Sequence, residues 1–133
     1  MKYREVDITD ANFLYVLLAE RTEDMFISHE QMPSYEEHRH FVIDHPYKIW
    51  AIVSNGSEDV GTFYITNNNE IYIQVLQEHH RKGYGTAIME SILIDENEHL
   101  RFYANINPQN KTAFEFLKSI GCRHIQNTYE LCR

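Results

Sequence analysis

Two glycines, Gly83 and Gly85, stand one residue apart behind His79, His80, Arg81 and Lys82, and the apolar stretch "YGTAIMESILI" runs on from them. Residues of these types in this order suit the holding of an anion. A turn with little side-chain bulk lets successive backbone N–H groups point at one spot, and a helix that follows adds its positive N-terminal end. Arg81 and Lys82 supply charge at the rim. Two other phosphate devices fail the test of spacing. The Walker pattern GxxxxGK[ST] is absent, and "GYGTAI" puts Ile88 where a dinucleotide fingerprint needs its third glycine.

The whole chain explains why the device must be local. Its 133 residues carry a formal net charge of −8, which argues against nonspecific nucleic-acid binding. An acidic surface suits a cationic or amine substrate instead. With 43% hydrophobic and 24% charged residues, the chain reads as one globular domain over residues 1–133. No apolar run approaches the roughly 20 residues that span a bilayer, and "MKYREVDITD" has no signal-peptide core. The expectation is a cytoplasmic protein with no membrane partner. Cys122 and Cys132 form no CxxC pair and are expected as small buried thiols. Eight histidines raise the question of a metal. His38 and His40 sit two apart on a helix, and His79 and His80 lack a Cys or carboxylate at ligand spacing, so no metal is expected.

The elements that must position the glycine turn follow from periodicity. "KYREV" is a short strand. Asp10 is expected to cap a helix carrying Phe13, Leu14, Leu17 and Leu18 on one face, and Ser34 with Glu37 has capping-box spacing for a second helix that ends before Pro46. Then "YKIWAIV", "VGTFYIT" and "IYIQVL", separated by "SNGSED" and "NNNE", read as an antiparallel meander. After the glycine turn a helix runs to about Ile94. "LRFYANI" is a strand, "NKTAFEFLKSIG" a helix with Gly121 at its C′ position, and "CRHIQNTYEL" a closing strand or strand pair. The order β-α-α-β-β-β-α-β-α-β indicates an α+β fold around one mixed sheet, with a parallel crossover between Ile71 and Ile106. Tyr47, Trp50 and Phe63 are expected to pack a strand face.

"HRKGYGTA" resembles the acetyl-CoA pyrophosphate loop of the GCN5-related N-acetyltransferase superfamily, Q/R-x-x-G-x-G/A, with His80 where Gln or Arg is usual. "NPQNKTAFEFLKSIGC" is similar to that family's later N-x-x-A segment, with Asn110, Ala113, Phe116 and Gly121 in register and Cys122 in place of a Phe. "HPYKIW" and "NINPQN" resemble stretches of small bacterial or phage members. The element order also matches the family, in which two neighbouring central strands splay apart where the acetyl arm enters.

The resemblance implies acetyl-CoA as cosubstrate, with no metal. It implies cofactor contacts from Gln74, Val75 and Leu76, from the turn residues Arg81, Lys82, Gly83, Tyr84, Gly85 and Thr86, and from Asn110, which equally reads as a helix cap. Glu70 lies near the distance at which histone-type members carry a general base, and equally reads as a strand-edge carboxylate. The Tyr that many members use to protonate the leaving thiolate is Leu117 here. The acceptor, a primary amine on a small molecule, an amino sugar or a peptide N-terminus, would enter beside "MFISHEQMP", near His29, Met32 and His38. Two readings follow. One is an N-acetyltransferase working by direct transfer in a ternary complex; the other is a CoA-binding sensor or interaction module that has lost catalysis. The family often dimerises, so a homodimer is an open partner.

Overall fold

Four strands, β1 (Lys2–Glu5), β2 (Ile49–Ser54), β3 (Asp59–Ile65) and β4 (Ile71–Val75), lie side by side in that order, each antiparallel to the next. They belong to a computed structural model that describes residues 1–25, 31–95 and 101–132. Alternation along the strands divides the core in two. Trp50, Ile52 and Leu76 face α1 (Ala11–Ala19) and α2 (Tyr35–Asp44), meeting Leu14, Leu17 and Val42. Ala51, Val53, Phe63, Ile65 and Ile71 face the opposite way and meet Ile88, Met89 and Ile92 of α3 (Tyr84–Asp95). From α4 (Lys111–Ser119), Phe116 packs against this second cluster. Ile52, Ile65 and Ile88 are fully enclosed. Burying each stabilises the fold by about 1.5–3 kcal/mol.

Most expected elements are present, and the mixed α/β topology with a central sheet is as the sequence predicts. Ser34 caps α2 by accepting from the Glu37 N–H at 3.2 Å, and α2 closes on His45, whose left-handed backbone (φ 46°) precedes Pro46. Gly121 (φ +83°) follows α4 as expected. Asp10 departs from expectation. It makes no side-chain cap to α1; Asp7 caps a 3₁₀ turn over Ile8–Asp10 instead. Asp10 turns inward, 5% exposed, accepting from Arg4 Nη2 at 2.7 Å and from the Asp7 N–H at 3.0 Å. Arg4 also reaches Asp59 at 2.8 Å, so one guanidinium ties β1 to the start of β3 and to the entry of α1. Asp59 first and then Asp10 hold that guanidinium in its charged form, and Arg4 pulls the Asp59 carboxyl below its ordinary value.

Tyr47 and Trp50 do pack a strand face, but Phe63 packs the other one. Tyr47 stacks on Tyr64 (3.8 Å between centroids) and Tyr64 on Tyr72 (4.8 Å), a ladder of phenol rings toward β4. At Gly61 the backbones of β3 and β4 crowd: a Cβ there would lie 2.4 Å from the Gln74 carbonyl oxygen. Beyond α3 pairing is sparse. The strand expected at "LRFYANI" contributes one parallel bridge, Tyr103 to Glu70, which makes the sheet mixed. The expected closing strand carries no ladder among the described residues, and Ile125, Tyr129 and Leu131 are 56%, 81% and 93% exposed. Cys122 opens this segment and Cys132 follows it; both are exposed, which corrects the expectation of buried thiols.

Candidate active site

β4 determines what the site can do. Hydrogen bonds from the Leu76 N–H to the Val60 carbonyl (2.8 Å) and from the Thr66 N–H to the Glu70 carbonyl (2.9 Å) set its register on β3. Even-numbered residues therefore spend their backbone groups on β3, and Ile71, Ile73 and Val75 turn theirs to the other edge. There Ile71 donates to the Tyr103 carbonyl at 2.7 Å, and Tyr103 donates to the Asn69 carbonyl at 2.9 Å. The pairing stops after that bridge, so β4 and the 103–107 segment part company. Of the three strand residues singled out by sequence, Val75 presents its backbone to the opened edge, while Gln74 and Leu76 face β3. Ile73 presents its backbone to that edge too, and the sequence reading missed it; strand alternation from a bonded Ile71 was the available signal. The Gln74 side chain donates to the Leu17 carbonyl and joins β4 to α1.

The glycine turn lies at the end of the same edge. A 3₁₀ turn over Gln77–His79 leads into it, and His80 Nε2 meets the Val75 carbonyl at 2.8 Å, tying loop to strand. Arg81 (φ 64°) and Gly83 (φ 81°) are both left-handed, with Lys82 between them. Such alternation folds backbone N–H groups toward a common point and makes an anion-binding concavity. A Cβ on Gly83 would meet nothing within 4 Å, so the space above the turn is open. The Ala87 N–H bonds to the Gly83 carbonyl at 3.1 Å, leaving the N–H groups of Tyr84, Gly85 and Thr86 in the first turn of α3 without an intrahelical acceptor. At Gly85 a Cβ would sit 3.6 Å from the Phe116 ring, an ordinary contact through which α3 and α4 touch. This geometry fits a diphosphate group.

Glu70 is half-buried at the mouth of the parting strands. Asn105 Nδ2 donates to its Oε2 and, at 3.1 Å, to the Tyr72 hydroxyl; Thr66 Oγ1 donates to Oε1 at 3.4 Å. Neither Asn105 nor the phenol ladder that ends on Tyr72 was anticipated. The contacts join positions 33 and 35 residues apart, which no local pattern reports. Burial first, then the Tyr47 phenol, raises the proton affinity of Tyr64, so this ring of the ladder keeps its hydroxyl proton. Asn110 caps α4, accepting from the Ala113 N–H at 3.0 Å. Leu117 is half-buried on α4.

His38 proves to be a core residue rather than an acceptor contact: it is 3% exposed, Nε2 lies 2.9 Å from the Ala11 carbonyl, and Tyr15 and Tyr35 flank the ring. Met32 is exposed, and His29 lies outside the described residues. A groove of about 390 Å³ lies apart from all of this, between the β1 side of the sheet and Ser91 and Ile92 of α3. No helix among the described residues is long and apolar enough to cross a membrane.

The family described as FR47-like protein matches residues 66–131, the stretch holding β4, the glycine turn, α3 and α4. No curated protein matches the sequence. Solved structures do match in shape. An acetyltransferase from Thermus thermophilus aligns with a TM-score of 0.79 at 17% identity, covering 95% of this chain and 88% of that one. A ribosomal-protein-alanine N-acetyltransferase from Brucella melitensis biovar Abortus 2308 gives 0.72 at 14% identity over 100% of both chains. A mutant spermidine N-acetyltransferase SpeG from Vibrio cholerae gives 0.71 at 17% identity, over 91% of this chain and 79% of its own. The parting strands and the glycine turn thus sit in a shared architecture: the chain has the fold of the GCN5-related N-acetyltransferases.

Proposed function

We propose that this protein is an acetyl-CoA-dependent N-acetyltransferase that moves the acetyl group directly to a primary amine within a ternary complex. One observation carries the reading. The open edge of β4 leads into a turn with left-handed Arg81 and Gly83 and then into the first turn of α3, a run of backbone suited to a ligand with an amide-bearing arm and a diphosphate. The cosubstrate supplies an activated acetyl thioester. Backbone groups of Ile73 and Val75 align its arm as an added strand would, and the amides of residues 81–86, with the charges of Arg81 and Lys82, hold its diphosphate. Asn110, whose Oδ1 is taken by the Ala113 N–H, keeps its amide nitrogen as a further donor for the ligand. The Val75 N–H is the donor available to polarise the thioester carbonyl. Glu70 takes the proton of the amine, directly or through water, and is oriented for this by Asn105 and Thr66.

The acceptor is a small-molecule or peptide amine, and the acidic chain favours a cationic one. A ribosomal-protein alanine and spermidine, for which two of the similar structures are named, are the first two candidates to try. A second reading, a CoA-binding module without turnover, is favoured by Leu117, which offers no proton to a leaving thiolate. Calorimetry with CoA, followed by thiol release from acetyl-CoA over a panel of amines, decides. Heat of binding with thiol release supports the transferase; binding without release supports the sensor. Absence of binding removes both.

A further inference from the structure

Under the glycine turn three side chains that the transferase reading leaves unused, His79, Glu58 and Glu78, converge beside Lys82. His79, 5% exposed, ends the 3₁₀ turn that leads into the loop. Its Nδ1 lies 3.3 Å from Lys82 Nζ. Its Nε2, closed off from solvent and without a well-aligned hydrogen bond, lies 3.1 Å from Glu58 Oε1 and 3.7 Å from Glu78 Oε1. An ammonium group has only donors, so Nδ1 must accept from Lys82, and the single proton of a neutral ring is then on Nε2, the ring atom nearest Glu58. The chain of contacts starts on the β2–β3 turn, crosses a buried ring and ends on the lysine between the two left-handed residues of the loop. A parallel contact runs beside it. Asn55 Nδ2 donates to the Tyr84 hydroxyl at 3.3 Å, and the Tyr84 ring stands edge-on to His79, 6.0 Å between centroids. The turn is itself held in shape, because Asn55 Oδ1 accepts from the N–H groups of Ser57 (2.9 Å) and Glu58 (3.0 Å).

We infer that His79, backed by Glu58, is a positioning residue for the anion loop: it fixes where Lys82 stands and so holds the Arg81–Gly83 stretch in its diphosphate-receiving shape. The inference rests on the proposed CoA site. A metal ion is the rival occupant of the cluster, since donor atoms of Glu58, Glu78 and His79 lie within 4.8 Å of one another. A tetrahedral zinc with bonds of about 2.0–2.1 Å would space such atoms about 3.3 Å apart, so distance alone permits it. Proton placement opposes it. A metal on Nε2 puts the ring proton on Nδ1, facing the lysine ammonium, so the lysine-bound arrangement and a metal exclude each other.

The test measures CoA affinity of the full chain by calorimetry for wild type, Lys82→Met, His79→Gln, Glu58→Gln and the double variant Lys82→Met/His79→Gln. Lys82→Met and His79→Gln should each weaken CoA about fivefold, and the double variant should be no weaker than Lys82→Met alone. Glu58→Gln changes an exposed turn residue, where a neutral substitution is the norm, yet should weaken CoA about threefold. In turnover assays KM for acetyl-CoA should rise while kcat and KM for the amine hold. Should His79→Gln fail to fold, Glu58→Gln with Lys82→Met supplies the same double-variant comparison. Losses that multiply, a Glu58→Gln protein that binds like wild type, or a CoA affinity that EDTA lowers and zinc restores would each overturn the inference. A wild type that binds no CoA removes the underlying site as well, an outcome distinct from all of these.

Discussion

Gly61 and Gly83 mark two regions of this molecule that treat backbone space in opposite ways. At Gly61 the strands β3 and β4 press together so closely that a Cβ would meet the Gln74 carbonyl at 2.4 Å. At Gly83 nothing lies within 4 Å, and the left-handed backbone is what the residue type secures. The sheet region up to Val75 has three antiparallel ladders, interrupted once at Val53–Ser54, and two buried clusters. Among the described residues, the region after it has one bridge, a 3₁₀ turn, two α-helices and an exposed C-terminal stretch. The difference teaches a division of labour: closely packed strands fix the position of β4, and the loosely paired partner leaves its far edge open.

Substitutions can break this contrast or sharpen it. The largest effect is expected at Gly61→Val, which should lower the unfolding free energy by about 3 kcal/mol in urea titrations. A Gly61→Val protein as stable as wild type would mean that the close approach is not a constraint. Glu70→Gln should do the reverse, leaving stability and CoA affinity in place while kcat falls about a hundredfold, equivalent to about 2.7 kcal/mol on the barrier. Full activity across pH would remove Glu70 as the base. Gly83→Asp puts a negative charge and side-chain bulk in the concavity and should weaken CoA about thirtyfold, or about 2 kcal/mol, while altering the unfolding free energy by only about 1 kcal/mol.

The smallest effect is a slope in pH. Burial of His38 outweighs its bond to the Ala11 carbonyl and lowers its proton affinity below the ordinary 6.5. As pH falls through 6.5 the unfolded chain takes up a proton that the folded chain refuses. The stability that the neutral ring supplies is thus whole above 6.5 and drains as pH drops toward the folded value. His38→Gln keeps an N–H for the Ala11 carbonyl but does not titrate, so its unfolding midpoint should depend less on pH below 6.5 than that of wild type. Equal slopes would show that another group sets acid stability.

What could be read from sequence divides along the same line. Ser34 before Glu37, Gly121 after a helical face, and Asn-rich separators between apolar runs are local signals, and the elements they announce are present. The glycine turn was legible for the same reason. Asp10 misled because a carboxylate before an apolar run looks like a cap whether it bonds to the helix or, as here, to Arg4. Cys122 and Cys132 misled because apolar character says nothing about whether a final strand finds a neighbour. Glu58 beside His79, and Asn105 beside Glu70, join residues 21 and 35 positions apart. Only the folded sheet brings them together, so spacing had no means of reporting either pair.

The short gap on β4 also bears on how the protein avoids sticking to itself. An unpaired strand edge is a template on which a second polypeptide can grow a ladder. Here Tyr103 closes one end and His80 the other, at the Val75 carbonyl. What stays bare is roughly 7 Å of backbone, the two-residue repeat of an extended strand, and most strands are several times that length. At β4 the brevity of the opening leaves little template for edge-to-edge growth, while the sheet's other edge strand, β1, carries Lys2, Arg4 and Glu5.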